Sequence, residues 1–134
     1  MSTGGKRILV VEDDRFLRRA CEATLERSGF DVRSAVDGES ALEMVSAEPP
    51  DLILLDLLMP KLPGVEVLRA LRTNPATRDI RVVILSNSSR EQDVRVVHEL
   101  GIEDYWIKSN ISLKELDARV TKLLEAAPAP ATLG

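Results

Sequence analysis

The chain has 134 residues, 44% of them apolar and 30% charged, with a formal net charge of −4. That length suits one domain with its own buried core, the negative balance argues against nucleic-acid binding by the domain, and no apolar run nears the roughly 20 residues that cross a bilayer. Residues 1–6 lack the apolar segment of a secretory signal, so a cytoplasmic location is expected.

The first predicted strand, 7–12, carries Ile8, Leu9, Val10 and Val11 and stops at Glu12-Asp13-Asp14. A helix follows from about residue 14, with Asp14 as its N-cap. It sets Phe16/Leu17, Ala20/Cys21 and Thr24/Leu25 at apolar positions and ends at Gly29, a natural C-cap. Cys21, the single cysteine, has no partner for an internal disulfide and reads as a packing residue, and Arg15, Arg18 and Arg19 read as a solvated helix face. The strand at 31–35 is of mixed polarity. The second helix carries Ala41, Leu42 and Val45 and stops before Pro49-Pro50, with Gly38 read as a turn residue ahead of it. The third strand, 51–55, is continuously apolar and runs into Asp56. The helix after it has Val65, Leu68 and Leu71 and ends before Asn74-Pro75. The fourth strand, 81–85, ends at Ser86, and its helix shows Val94, Val97 and Leu100 before Gly101. The fifth strand, 104–107, contains Tyr105 and Trp106, the latter read as a packing residue, and stops at Lys108. The last helix opens on Ser112-Leu113-Lys114-Glu115, a capping box with Ile111 placed to staple Leu116, and its stripe is Leu113, Leu116, Val120, Leu123 and Leu124.

Continuous apolar runs belong to strands covered on both faces, and mixed runs to sheet edges. The second and fifth strands are therefore outermost. The expectation is an α/β, flavodoxin-like, doubly wound sheet of five parallel strands in the order 2-1-3-4-5 with five helices. Residues 1–126 form one domain on this reading, and residues 127–134, rich in Ala and Pro, form a disordered tail.

Acids, a hydroxyl and an ammonium at four strand ends make one site, because ligands of such sheets bind beyond the carboxyl ends of the strands. If the first and third strands are neighbours, Glu12, Asp13 and Asp56 converge. Carboxylates that close hold protons or a cation, and an oxygen-only ligand set suits Mg²⁺. Lys108 adds a second positive group, Ser86 a hydroxyl donor, and Asp56 is left as a nucleophile able to form an aspartyl phosphate. His98, mid-helix, reads as an exposed or boundary residue.

Val11-Glu12-Asp13-Asp14, Asp56-x-x-Met59-Pro60-x-x-x-Gly64, Ser86 and Tyr105-Trp106-Ile107-Lys108, in this order and spacing, resemble the receiver domain of bacterial two-component response regulators. The likeness spans residues 7 to 125. It implies Asp56 as phosphoacceptor, Asp13 as direct metal ligand, Glu12 as a ligand through water, and the Leu58 backbone carbonyl as the remaining protein ligand. It implies Ser86 as switch hydroxyl, Lys108 as the phosphoryl-contacting lysine, and Tyr105 as the aromatic that follows Ser86. It further implies a histidine kinase or phosphotransfer protein as phosphoryl donor, with phosphorylation reshaping the face of the fourth helix, fifth strand and fifth helix. The expected assembly is a monomer or a weak phosphorylation-dependent dimer, and the protein is a switch rather than an enzyme with an outside product.

Three positions depart from the family pattern. Lys108 is followed by Ser109 where the family has proline with a cis peptide. A cis bond before a non-proline costs about 3–4 kcal/mol, so a trans peptide or a rearranged loop is expected. Asn87 stands where the family has Ala or Gly, placed to narrow entry to Asp56 or to contact the phosphoryl group. Leu58 stands where some relatives orient water, which predicts slow loss of phosphate. Leu58 also argues against a haloacid dehalogenase-type phosphatase, which places an aspartate there. Glu12-Asp13-Asp14 argues against a flavodoxin-like cofactor binder, whose phosphate it would repel. The chain reads as a stand-alone receiver, the alternative being a receiver excised from a larger regulator.

Overall fold

The computed structural model describes residues 5–125, so the tail expected at 127–134 lies outside the described residues. Strand and helix alternate in the order β1 (Arg7–Val11), α1 (Arg15–Arg27), β2 (Asp31–Ala35), α2 (Gly38–Ala47), β3 (Leu52–Leu55), α3 (Gly64–Thr73), β4 (Arg81–Ser86), α4 (Glu91–Leu100), β5 (Asp104–Ile107) and α5 (Leu113–Glu125), with a 3₁₀ turn at Lys108–Asn110. The strands form one sheet in the order β2-β1-β3-β4-β5, and every neighbouring pair is parallel. The fold is the expected one, with β2 and β5 at the edges.

The period-two alternation of a strand divides its side chains between two faces. Leu9, Val11, Ile53, Leu55, Val82 and Ile84 pack with Ala41, Val45, Val67, Leu68, Leu71 and Val97 of α2, α3 and α4. Ile8, Val10, Leu52, Leu54, Val83 and Leu85 pack on the other face with Cys21, Leu25, Leu116 and Val120 of α1 and α5. Burial on both faces explains why the three central strands carry no polar alternation. Cys21 is a core residue, as expected, and burial pushes its thiol up to about 11. Trp106 is likewise buried, donating through Nε1 to Asp104 Oδ2 at 2.9 Å.

Caps close the helices where the residue types predict. Asp14 accepts from the Leu17 N–H at 3.1 Å, and Asp37 accepts from the Ser40 N–H at 2.8 Å. Ser112 and Glu115 exchange their reciprocal capping-box bonds at 3.1 and 3.2 Å. Ile111 packs in the same cluster as Leu116.

Three side-chain expectations are corrected. Phe16 is 90% exposed: at 100° per residue it is turned about 140° from Cys21 and the buried face of α1. Leu113, in the first turn of α5, is also exposed, so the buried part of that stripe begins at Leu116. Gly38 is the first residue of α2 rather than a turn residue, and it is glycine for want of room. A Cβ there would meet the Leu62 carbonyl oxygen at 2.5 Å.

Gly64 is held more tightly still. Its N–H donates to the Leu57 carbonyl at 3.1 Å, and a Cβ on it would lie 2.3 Å from the Asp56 carbonyl oxygen and 2.6 Å from the Leu57 Cα. Both obstacles are backbone, so neither can swing aside. Gly64→Ala is expected to cost about 1–3 kcal/mol or more, as overpacking does. The midpoint of a urea unfolding curve measures it, and an unchanged midpoint would show that the β3–α3 loop yields.

Candidate functional site

Parallel strands end on the same edge of the sheet, and two backbone bonds extend the ladder by one residue at that edge. The Asp56 N–H donates to the Val11 carbonyl at 3.2 Å, and the Glu12 N–H donates to the Ala35 carbonyl at 3.0 Å. These bonds fix both residues just past the strands, where their side chains turn towards one another. Glu12, Asp13 and Asp56 each offer an oxygen within 4.8 Å of the others. Glu12 and Asp56 are each 3% exposed, while Asp13 opens to solvent.

Lys108, at the end of β5, answers this charge. Its Nζ donates to Asp56 Oδ2 at 2.7 Å and pairs with Glu12 Oε1. Burial by itself works against the ammonium, but the hydrogen bonds to Asp56 and Glu12, with their charge, outweigh it and hold Lys108 above the ordinary lysine range. Burial pushes the Glu12 carboxyl up, although Lys108 and the Asp14 N–H, which donates to Oε2 at 2.9 Å, pull it the other way.

Asp56 Oδ1 faces two further donors, the Ser86 hydroxyl at 2.8 Å and the Leu58 N–H at 3.1 Å. From Ser86 a chain of bonds leads outward. The Ser88 N–H donates to Ser86 Oγ at 3.2 Å, and the Tyr105 hydroxyl donates to the Ser88 carbonyl. Tyr105 therefore meets the site through the β4–α4 loop and not by touching Asp56. Burial raises its phenol. His98, an exposed residue of α4, stacks on Tyr105 with ring centroids 6.5 Å apart and planes 7° from parallel.

Glu12, Asp13, Asp56, Leu58, Ser86 and Lys108 thus gather at this edge, and Tyr105 reaches it only through the β4–α4 loop. Leu58 contributes its backbone at the site, and its side chain is 52% exposed. Sequence reasoning missed two contacts. Arg18, expected on a solvated face, is partly buried and reaches back from α1 to donate to the carbonyls of Glu12 and Asp13 at 3.1 and 3.3 Å. Its spacing from the acidic loop, one helical turn on, was the available signal. Asn87, expected to narrow entry to Asp56 or to contact the phosphoryl group, also accepts from the Ser109 N–H at 2.9 Å. The Lys108–Ser109 peptide is trans, as are all those described.

The donor set fits a hard divalent cation. It offers carboxylate oxygens alone, one of them solvent-facing, and a single ammonium against three acids. Oxygen ligands with room for water suit Mg²⁺ or Mn²⁺. The one histidine lies on α4 and the one cysteine in the core, so neither supplies a softer ligand.

A doubly wound sheet with an acidic cluster and an opposed lysine at its carboxyl edge defines a class of signalling domain, and comparison gives the family. Residues 8–121 match the family model described as response regulator receiver domain. The chain belongs to that family. It is 41% identical over 119 residues to the alkaline phosphatase synthesis transcriptional regulatory protein PhoP of Bacillus subtilis, covering 89% of this chain and 48% of that protein. It is 42% identical over 134 residues to the transcriptional regulatory protein PrrA of Mycobacterium tuberculosis, covering 98% and 56%. The chain thus spans about half the length of the curated relatives it matches. Among solved structures, the Mn²⁺-bound form of response regulator Rcp1 superposes with a TM-score of 0.83 at 33% identity, covering 94% of this chain and 99% of that one. The phosphorylated cyanobacterial phytochrome response regulator RcpA gives 0.76 at 34% identity, with 95% and 96% covered. Receiver domains take phosphoryl groups from histidine kinases and act as signalling switches. No helix among the described residues is long and apolar enough to cross a membrane.

Lys108 is the only cation paired with the carboxylates of Asp56 and Glu12 among the described residues. Its removal leaves buried carboxylates facing one another. Lys108→Met is expected to lower stability by about 1–3 kcal/mol in EDTA, less than the loss of a fully buried pair, and to recover in millimolar Mg²⁺. Thermal melts in the two buffers measure this, and equal melting temperatures for wild type and variant in EDTA would contradict it.

Proposed function

We propose that this chain is a phosphorylation-switched receiver whose residues 1–126 act as one unit, with Asp56 accepting a phosphoryl group from a phosphohistidine of a sensor histidine kinase or phosphotransfer protein. The observation that carries this reading is the pairing at Asp56: the Lys108 ammonium on one oxygen, the Ser86 hydroxyl on the other, beside two more carboxylates.

In the transfer, an Asp56 oxygen attacks phosphorus and the P–N bond of the phosphohistidine breaks. The imidazole leaves with the electron pair. Lys108 and Ser86 lie within reach of the oxygens that the phosphoryl group would bring, so each can exchange a bond to Asp56 for a bond to the phosphoryl group. Asp13, Asp56 and the Leu58 carbonyl would hold Mg²⁺ directly and Glu12 through water. When bound, the ion offsets the charge that develops on the phosphoryl oxygens.

Once Ser86 turns to the phosphoryl group, its bond from the Ser88 N–H moves with it. The Tyr105 hydroxyl, bonded to Ser88, follows. The change reaches the α4–β5–α5 face, which is the surface for a downstream protein partner. On this reading the chain is a cytoplasmic switch, a monomer or weak phosphorylation-dependent dimer, binding neither nucleic acid nor membrane through this domain. It assists its own phosphorylation and slow dephosphorylation without releasing an outside product. This reading takes the chain as a stand-alone receiver. A second reading, a receiver belonging to a longer transcriptional regulator, is supported by the half-length coverage of PhoP and PrrA.

Incubation with acetyl phosphate and Mg²⁺, followed by intact-mass measurement, should add one phosphoryl group. The adduct should vanish in Asp56→Asn and in EDTA, and its absence from the wild type would overturn the proposal. Leu58 gives the site's mouth an exposed apolar side chain with nothing to orient water. The phosphorylated half-life should therefore be minutes or longer, shortened several-fold by Leu58→Gln. Decay within seconds in the wild type would contradict this.

A further inference from the structure

The two residues that depart from the receiver pattern on either side of the site touch one another. Asn87 directly follows Ser86 at the end of β4, and Ser109 directly follows Lys108 at the end of β5. The Asn87 Oδ1 accepts from the Ser109 N–H at 2.9 Å. Ladder pairing brings Ser86 opposite Ile107 and stops there, so this bond ties the two chains together one step beyond the sheet. A proline at 109 has no N–H to give, and Ala or Gly at 87 has no side-chain oxygen to receive one. Each departure supplies what the other needs.

We infer that Asn87 is a positioning residue for Lys108, clamping the β5–α5 connection so that the ammonium is delivered to Asp56. This deepens the proposed function and rests on the reading of Asp56 as acceptor. The physical need is clear from the chain. After Ile107 the backbone leaves the sheet for the 3₁₀ turn Lys108–Asn110, where Lys108 turns inward while Ser109 and Asn110 are exposed and give the turn no anchor in the core. Lys108 has four rotatable side-chain bonds, and its Nζ must sit within hydrogen-bond reach of two different carboxylates. Fixing the peptide that follows it removes the freedom of the Lys108 backbone. Asn87 makes no hydrogen bond to Asp56 or to the acidic cluster among those described, so its effect passes through Ser109.

The test uses the whole chain with acetyl phosphate as donor and saturating Mg²⁺. Asn87→Ala should lower the maximal phosphorylation rate roughly three- to tenfold, the effect of one ordinary hydrogen bond. The Mg²⁺ concentration giving half-maximal rate should stay unchanged, because Asn87 is not among the acids. Hydrogen exchange at the Ser109 amide should accelerate in the same variant. Ser109→Ala keeps the N–H and should match wild type. Unchanged Ser109 exchange with an unchanged rate in Asn87→Ala overturns the clamp. A slow Asn87→Ala with unchanged exchange at Ser109 also overturns it, pointing to direct contact with the phosphoryl group. A wild type that gains no phosphoryl group sinks the reading of Asp56 itself, a separate failure. Both substituted residues are exposed, and far-ultraviolet melts confirm that each variant is folded.

Discussion

Glu12, Asp13 and Asp56 bring three carboxylate oxygens within 4.8 Å of one another, against the one ammonium of Lys108. Like charges at that separation repel by a few kcal/mol per pair even at an effective dielectric of about 20. The fold tolerates this because two of the acids are locked by backbone bonds to neighbouring strands, and because Lys108 spans both of them. What remains uncompensated is negative charge beside a solvent opening. That imbalance is what a hard cation can relieve.

The scaffold is stiff where this repulsion must be resisted. Four central positions of the edge (Val11, Leu55, Ile84 and Leu85) are buried, and helices cover both faces of the sheet. Gly64 brings α3 so close to Asp56 that no side chain fits between them. Arg18 and the Asp14 cap hold the β1–α1 loop from the helix side. The parts that connect outward differ. Ser86, Ser88, Tyr105 and His98 form a chain of contacts through the β4–α4 loop, and the Ser88 hydroxyl also bonds to Asp93 of α4 at 3.5 Å.

Family membership and local departures act at different levels. The receiver fold, with its parallel order, makes four strand ends adjacent in any member. The Asn87–Ser109 bond belongs to this chain's own residues and lies where the family pattern would leave proline and a small residue.

The strands, their order and the convergence of Glu12, Asp13, Asp56, Ser86 and Lys108 were legible in the sequence. Apolar runs reveal strands buried on both faces, and polar residues at the ends of such runs fall on one edge of a parallel sheet. Asp14 and Ser112 were legible as caps because capping is local. Phe16 and Leu113 were not legible as exposed, since an apolar residue near a helix start has the same pattern whether or not another layer covers it. Arg18 turned inward, and Asn87 found Ser109 across 22 residues of chain. Such contacts depend on where two loops end up in space, which no periodicity encodes. Composition and spacing determined the architecture and the chemistry available at its edge. Only the tertiary structure decided which side chain holds which neighbour, because those partners are brought together by the packing of separate elements.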